Sequence, residues 1–197
     1  MEWGLPVIAY FVGSIPWGLV IVRVFRGNDV REAGSGKTGV TNVLRTAGVK
    51  LAVIVLIADV GKGVIMVTLA KALANDPSIH AFVAAAVVLG HIWPIFAGFR
   101  GGRGIASGFG GSLALDPLSA LPAILVFLPL TGLTRFVSLG SIAGVITIIG
   151  VFAIRAASND MPLAYFAFAL VIGGTIISMH KDNISRLVHG TERKIGR

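Results

Sequence analysis

Long apolar runs separated by short polar gaps organise this chain, at residues 3–22, 51–69, 81–97, 105–115, 118–133, 137–154 and 163–179. Most have the length needed to cross a hydrocarbon layer of about 30 Å at about 1.5 Å of rise per residue. The pattern predicts an all-α polytopic membrane protein with seven transmembrane helices. Residues 105–115 are the exception, because a helix of about 16 Å crosses only half of the layer. That segment is expected to start inside the protein or to lie re-entrant, since its backbone polar groups cannot face lipid unpaired. Small-xxx-small pairs, Gly104 with Gly108 and Gly140 with Gly144, predict close helix approaches.

The polar gaps carry a topology signal. The first run follows Glu2 and precedes Arg23 and Arg26, the reverse of a cleavable signal, so it is expected to be retained with its N-terminus outside. Residues 23–50, residues 98–104, Arg135 and everything after His180 then fall in the cytoplasm. They hold Arg23, Arg26, Arg31, Lys37, Arg45, Lys50, Arg100, Arg103, Arg135, Lys181, Arg186, Arg193, Lys194 and Arg197. The opposite gaps carry Asp76, Asp116, Asp160 and Arg155, as the positive-inside rule requires of an outer face. The C-terminus is expected to be cytoplasmic, and the chain to form one domain over 1–197.

Composition changes this picture little. With 55% hydrophobic and 13% charged residues, the apolar surface exceeds what one soluble core of this size hides, so lipid must solvate most of it. The net charge of +8 would suggest a nucleic-acid partner in a soluble protein, but here it lies in the gaps between spans, so no nucleic acid is expected. The absence of cysteine excludes disulfides, thiolate metal sites and a thiol nucleophile. No close cluster of histidine and carboxylate suggests a metal.

Three of the cytoplasmic segments are suited to phosphate. In residues 31–45, Gly34, Gly36 and Gly39 allow backbone N–H groups to converge on an anion. Ser35, Thr38 and Thr41 offer hydroxyls there, and Arg45 a bidentate fork. The run ending in Gly36-Lys37-Thr38 is not a Walker loop, because the position five residues before Gly36 is Arg31 instead of glycine. Gly34, Gly36 and Gly39 also fit G-x-G-x-x-G, but the segment follows a membrane span with no βαβ unit around it. The second segment, 98–104, holds Gly101, Gly102 and Arg103; alone, it serves equally as a flexible turn with topology-setting charges. In the third, helical spacing puts His180 and Asn183 on one face, extended by Arg186 and Leu187.

Asp59 and Lys62 lie three apart within the second span and are expected to pair, either as a structural lock or in contact with a substrate phosphate. His91 reads as a satisfied interfacial histidine.

Together these segments resemble the bacterial acyl-phosphate:glycerol-3-phosphate acyltransferase family, PlsY. The resemblance runs from Gly13-Ser14-Ile15-Pro16 through the glycine-serine motif with Thr41, Asn42 and Arg45. It continues through Asp59 with Lys62-Gly63, Gly90-His91 and the double glycine, and ends with His180-x-x-Asn183-Ile184-x-Arg186-Leu187 and Gly190-Thr191-Glu192. It implies a multi-pass enzyme of the bacterial cell (inner) membrane that works on the cytoplasmic side. The enzyme would move a fatty acyl group from acyl phosphate to the 1-hydroxyl of glycerol 3-phosphate, without a cofactor. It also implies functional coupling to an acyl-phosphate-producing enzyme.

Ser35, Arg45, His180 and Asn183 are implied to be catalytic, and Gly101 and Gly102 with the following cation to form the glycerol phosphate site. Gly34, Gly36, Lys37, Thr41, Asn42, Lys62 and Arg103 complete the expected substrate contacts. Two positions depart from the family pattern: Lys37 and Thr38 replace asparagine and an aliphatic residue, and Arg103 replaces lysine. Ser35 and Asn183 are expected to orient the acyl phosphate or its carbonyl. His180 would accept the hydroxyl proton, or position the acceptor while the donor phosphate takes that proton. The contrasting reading is a membrane transporter of an organic phosphate, which should show polar groups on both faces and a repeat.

Overall fold

The computed structural model describes residues 2–196, and every regular element among them is helical. Met1 and Arg197, the latter counted above among the cytoplasmic basic residues, lie outside the described residues. Five helical segments are long and apolar enough to span a bilayer: Glu2–Arg26, Val49–Leu73, Pro77–Ala97, Pro117–Thr134 and Val137–Ala157. A bent pair, Leu163–Ser178 with Lys181–Val188, adds a sixth if it is counted as one span. The outward faces are apolar: Val7, Ile57, Ile65, Leu125, Leu133 and Val171 are all more than half exposed. A surface of that kind is stable against hydrocarbon and not against water.

The chain divides into two compact units, Met1–Leu115 and Asp116–Arg197. The first contains α1 (Leu5–Gly13), α2 (Trp17–Arg26), α3 (Val40–Ala47), α4 (Val49–Leu73), α5 (Pro77–Ile92) and α6 (Ile105–Leu115). Pro16, which has no amide hydrogen, interrupts the first span between α1 and α2. The Trp17 amide turns to the Ile15 carbonyl at 3.1 Å, so it does not take the Gly13 carbonyl as an unbroken helix would.

The short α6 behaves as its length requires. It lies beside the second half of α4, where a side chain at Gly63 would meet the Ser107 carbonyl at 2.6 Å and the Gly111 amide at 2.7 Å. Gly110 reciprocates against the Val60 backbone, so Gly63 and Gly110 make this close approach. Lys71 donates to the carbonyls of Ala114 (2.8 Å) and Leu115 (3.0 Å), closing the far end of α6. Since α6 starts level with the middle of α4, residues 98–104 descend into the unit to reach it.

The second unit contains α7 (Pro117–Ala120), α8 (Pro122–Thr134), α9 (Val137–Ala157), α10 (Leu163–Ser178) and α11 (Lys181–Val188). Asp116 caps α7 through the Ser119 amide at 3.1 Å and pairs with Arg155 at 3.0 Å. Here the expected glycine pair faces a neighbour: Gly140 lies against Thr131 and Phe127, and Gly144 against Ala123, all on α8. Helices α10 and α11 meet at an angle of 59°. Arg135, at the α8–α9 turn, holds the tail by donating to the carbonyls of Ile195 (2.8 Å) and Gly196 (2.7 Å).

Candidate active site

In the first unit a buried apolar cluster fixes the base of the 27–39 loop. Leu19 and Val22 of α2, Val43 and Ala47 of α3, and Leu51 and Val55 of α4 pack around Val30 and Ala97. Above it Asp29 caps the 3₁₀ turn Val30–Glu32 and accepts from the Arg31 guanidinium at 2.6 and 3.0 Å. The same guanidinium donates to the Ala97 carbonyl at 3.1 Å, tying this loop to the turn at Ile95–Ala97. The Arg31 hydrogen bonds hold the Asp29 pKa down at about 2, and the Asp29 carboxylate raises that of Arg31.

Asn42 is the hub of the loop. Its Oδ1 accepts from the Ser35 amide at 2.8 Å, and its Nδ2 donates to the carbonyls of Val30 (2.8 Å), Lys37 (2.9 Å) and Ala33 (3.1 Å). With 2% exposure and both ends of the amide engaged, Asn42 acts on substrate through the loop it shapes. Gly34 has a φ of +65° and sits so close to Asn42 Oδ1 that a side chain there would displace the amide.

Two of the backbone donors of this loop are engaged inside it: the Ser35 amide bonds Asn42, and the Gly36 amide bonds the Ala33 carbonyl at 3.2 Å. Ser35, Lys37, Thr41 and Arg45 are all half-buried, so their side chains can also offer donors to an anion. Thr38 is buried, its carbonyl against Gly18.

The second segment comes to the same place, since a side chain at Gly39 would lie 4.0 Å from the Gly102 Cα. Its backbone donors are also occupied: Gly102 donates to the His91 carbonyl at 3.1 Å and Gly101 to that of Ile92 at 3.3 Å, closing the end of α5. Glycine is required here by packing. A side chain at Gly101 would meet Pro94 at 2.6 Å, and one at Gly102 would enter the His91 ring, 2.9 Å from Cε1 and 3.0 Å from Cδ2. Arg103 is half-buried, whereas the other charge of this segment, Arg100, is exposed.

Beneath it lies the buried charge pair. Lys62 Nζ is 2.9 Å from Asp59 Oδ1, 2.9 Å from the Gly13 carbonyl freed at the α1–α2 break, and 2.9 Å from His91 Nδ1. The Ile15 carbonyl lies 3.4 Å away as well, so the ammonium is enclosed by four polar atoms at 4% exposure. Of the two roles left open for Lys62, this geometry is that of the lock. His91 departs from the expected interfacial histidine, being 6% exposed and joined to that lock.

The second unit carries the third segment. His180, at the α10–α11 joint, is 3% exposed, and its Nδ1 is 2.8 Å from the Ile176 carbonyl. A carbonyl only accepts, so Nδ1 holds a hydrogen, and in the neutral ring the lone pair is on Nε2. Asn183 donates from Nδ2 to Glu192 Oε1 at 2.7 Å, while its buried Oδ1 has no hydrogen-bond partner among the described residues.

Glu192, 8% exposed, is the residue whose part the sequence reading missed. It also accepts from Ser138 at 2.8 Å and Arg186 at 2.7 Å. Burial alone would raise its pKa, but hydrogen bonds from Asn183, Ser138 and Arg186, with the Arg186 charge, hold it below the ordinary carboxylate value. The signal available was a lone acid in a basic tail, nine residues beyond Asn183. Among the described residues no group of three histidine or carboxylate side chains could hold a metal ion.

The comparisons with known proteins agree with one another. The family model for glycerol-3-phosphate acyltransferase matches residues 3–190. Glycerol-3-phosphate acyltransferase of Rippkaea orientalis is 43% identical over 98% of this chain and 92% of its own length. That of Desulforamulus reducens is 43% identical over 95% and 92%. The crystal structure of PlsY, an integral membrane glycerol 3-phosphate acyltransferase, in its glycerol 3-phosphate form superposes with a TM-score of 0.91. That comparison has 39% identity over 99% of this chain and 96% of that one. The lysophosphatidic acid form gives 0.87 and 37% identity over 99% and 95%. The chain belongs to the glycerol-3-phosphate acyltransferase family and is an integral membrane acyltransferase of the PlsY type.

Proposed function

We propose that the protein transfers a fatty acyl group from acyl phosphate to the 1-hydroxyl of glycerol 3-phosphate, giving lysophosphatidic acid and inorganic phosphate. The observation that carries this reading is the packing of the serine loop against the glycine pair, where a side chain at Gly39 would lie 4.0 Å from the Gly102 Cα. That packing supports a site in which Lys37, Arg45 and Arg103 act together. Two phosphates held near one another repel, and clustered cations offset that repulsion. The relatives solved with glycerol 3-phosphate and with lysophosphatidic acid support the same substrate and product.

Inorganic phosphate is a good leaving group, so the acceptor hydroxyl needs orientation and a route for its proton. Arg45, Arg103, Lys37, Ser35 and Thr41 bind the phosphates. The acceptor oxygen forms an ester bond to the acyl carbon as the carbon–oxygen bond to phosphate breaks. His180 takes the hydroxyl proton, as its Nε2 lone pair allows. Asn183 gives one amide hydrogen to Glu192, which leaves its second hydrogen for the acyl phosphate or its carbonyl and its Oδ1 as an acceptor suited to a glycerol hydroxyl.

The whole chain works as one domain, with seven membrane segments if the short α6 is counted. The N-terminus is outside and the active site at the cytoplasmic face, a reading supported by the bias of basic residues. Acyl phosphate is made elsewhere, so an acyl-phosphate-producing enzyme supplies the donor.

Purified protein given palmitoyl phosphate and labelled glycerol 3-phosphate should yield labelled lysophosphatidic acid with equimolar phosphate, and acyl coenzyme A should not replace the donor. Absence of transfer from acyl phosphate would sink the reading. Loss of turnover in both His180→Ala and His180→Gln fits the base, whereas substantial activity in His180→Gln assigns the proton to the donor phosphate.

A further inference from the structure

The acyltransfer steps above leave Asp59, Lys62 and His91 unused, although burying two charges within a span is costly and an apolar trio would pack as well. We infer that His91 is a positioning residue for the acceptor phosphate, held by Lys62 as the Nε2–H tautomer and supporting the Gly101–Gly102 turn from which Arg103 extends. The inference rests on the acyltransferase reading for its substrate, but its structural half stands alone.

The tautomer follows from the contacts. His91 Nδ1 lies 2.9 Å from Lys62 Nζ and 3.3 Å from Asp59 Oδ1. A hydrogen on Nδ1 would serve the carboxylate but would face the nearer ammonium, which brings hydrogens and no lone pair, so in this assignment Nδ1 supplies the lone pair and the ring proton sits on Nε2. A doubly protonated ring would set two cations 2.9 Å apart against the single carboxylate of Asp59. Lys62 is held in turn by Asp59 and by the Gly13 carbonyl, released where Pro16 breaks the first span. The ring orientation is thereby referred to α1 and α4, two elements outside its own helix.

The ring and the turn then hold each other. Gly102 donates to the carbonyl of His91 itself at 3.1 Å, and its Cα rests on the imidazole edge bearing Nε2. Arg103 follows directly, so the angle of the ring sets where that guanidinium is presented. The tautomer also decides the sign of the edge: Nε2–H offers a hydrogen to the turn, where a lone pair would repel an anion held there.

The test separates positioning from folding. His91→Asn keeps an acceptor within reach of Lys62 but removes the ring from under Gly102. Its KM for glycerol 3-phosphate should rise on the order of tenfold, with kcat changed by less than about threefold. His91→Gln, which returns an N–H near the Nε2 position, should recover part of that loss. A KM within about twofold of the parent in His91→Asn, or a loss confined to kcat, would overturn the inference. Where His91→Asn fails to fold, nitrogen-15 spectra of histidine-labelled parent protein decide, assigned against variants of His80, His180 and His189. An unprotonated Nδ1 on His91 at neutral pH is required, and a protonated one refutes the assignment. A parent protein without acyltransferase activity would defeat the functional reading instead, leaving the spectrum to judge the tautomer.

Discussion

Glu192 Oε1 lies 2.7 Å from Asn183 Nδ2, and this contact decides that the amide of Asn183 turns its oxygen, not its nitrogen, away from the carboxylate. Removing the acid should therefore do more than remove a charge. Glu192→Ala leaves Asn183, Ser138 and Arg186 without their common acceptor, a loss of about 1–3 kcal/mol by the measure of buried polar groups left unpaired. Glu192→Gln, which keeps the shape, should lose less. Melting temperatures in detergent should fall in the order parent, Glu192→Gln, Glu192→Ala.

The same residue sets an acid limit. Its folded pKa lies below the unfolded 4.5, so its contribution is fully present above that value and is lost as pH falls through the folded one. Asp29 behaves likewise over a lower window, from 3.8 down to about 2. The melting-temperature gap between parent and Glu192→Gln should hold steady from pH 7 to pH 5 and narrow on further acidification. A gap that widened on acidification would contradict the assignment.

Arg31 holds the serine loop to the Ile95–Ala97 turn, so its loss should appear in catalysis although it is not placed on substrate. Arg31→Lys keeps the charge but cannot reach Asp29 and the Ala97 carbonyl together. Charge-assisted bonds of this kind are worth about 1.5–3 kcal/mol, so kcat/KM should fall roughly tenfold to a hundredfold. Arg31→Ala should fall further.

Asn42 permits a comparison of isosteres. Asn42→Asp places a carboxylate against the carbonyls of Val30, Ala33 and Lys37, whereas Asn42→Ala only leaves groups unpaired. The aspartate variant should be the more damaged. Limited proteolysis should cut within residues 27–39 fastest in Asn42→Asp, more slowly in Asn42→Ala, and slowest in the parent.

Two glycines of α4 should respond oppositely to alanine. Gly63→Ala drives a methyl into the α6 backbone, within 2.7 Å of two atoms, while Gly61→Ala meets nothing within 4 Å. The first should lower the melting temperature by several degrees. The second should leave it unchanged or raise it, by up to about 1 kcal/mol of helix propensity.

Much of this was legible in the chain because spans announce themselves through length and hydropathy, and the half-length of residues 105–115 already required shelter. The three polar segments were found for the same reason: glycine, hydroxyl and cation together are unusual at a membrane surface. What escaped was direction. Glycine at 101 and 102 reads as backbone offered to an anion, yet those amides face the end of α5. Lys62 reads as the partner of Asp59, but the carbonyl released by Pro16 beside it leaves no signature in the spacing. Asn42 and Glu192 work by holding other groups, which leaves no spacing signature, and His91 becomes meaningful only when α1 and α4 surround it.

The brevity of α6 bears on biogenesis. Eleven apolar residues cannot keep their own ends out of oil, so this helix has no stable transmembrane state until α4 stands beside it and Lys71 closes its terminus. Insertion of the nascent chain must then be concerted across residues 49–115, and a defect at the α4–α6 crossing would surface as failed delivery and degradation before any enzyme existed to be slow.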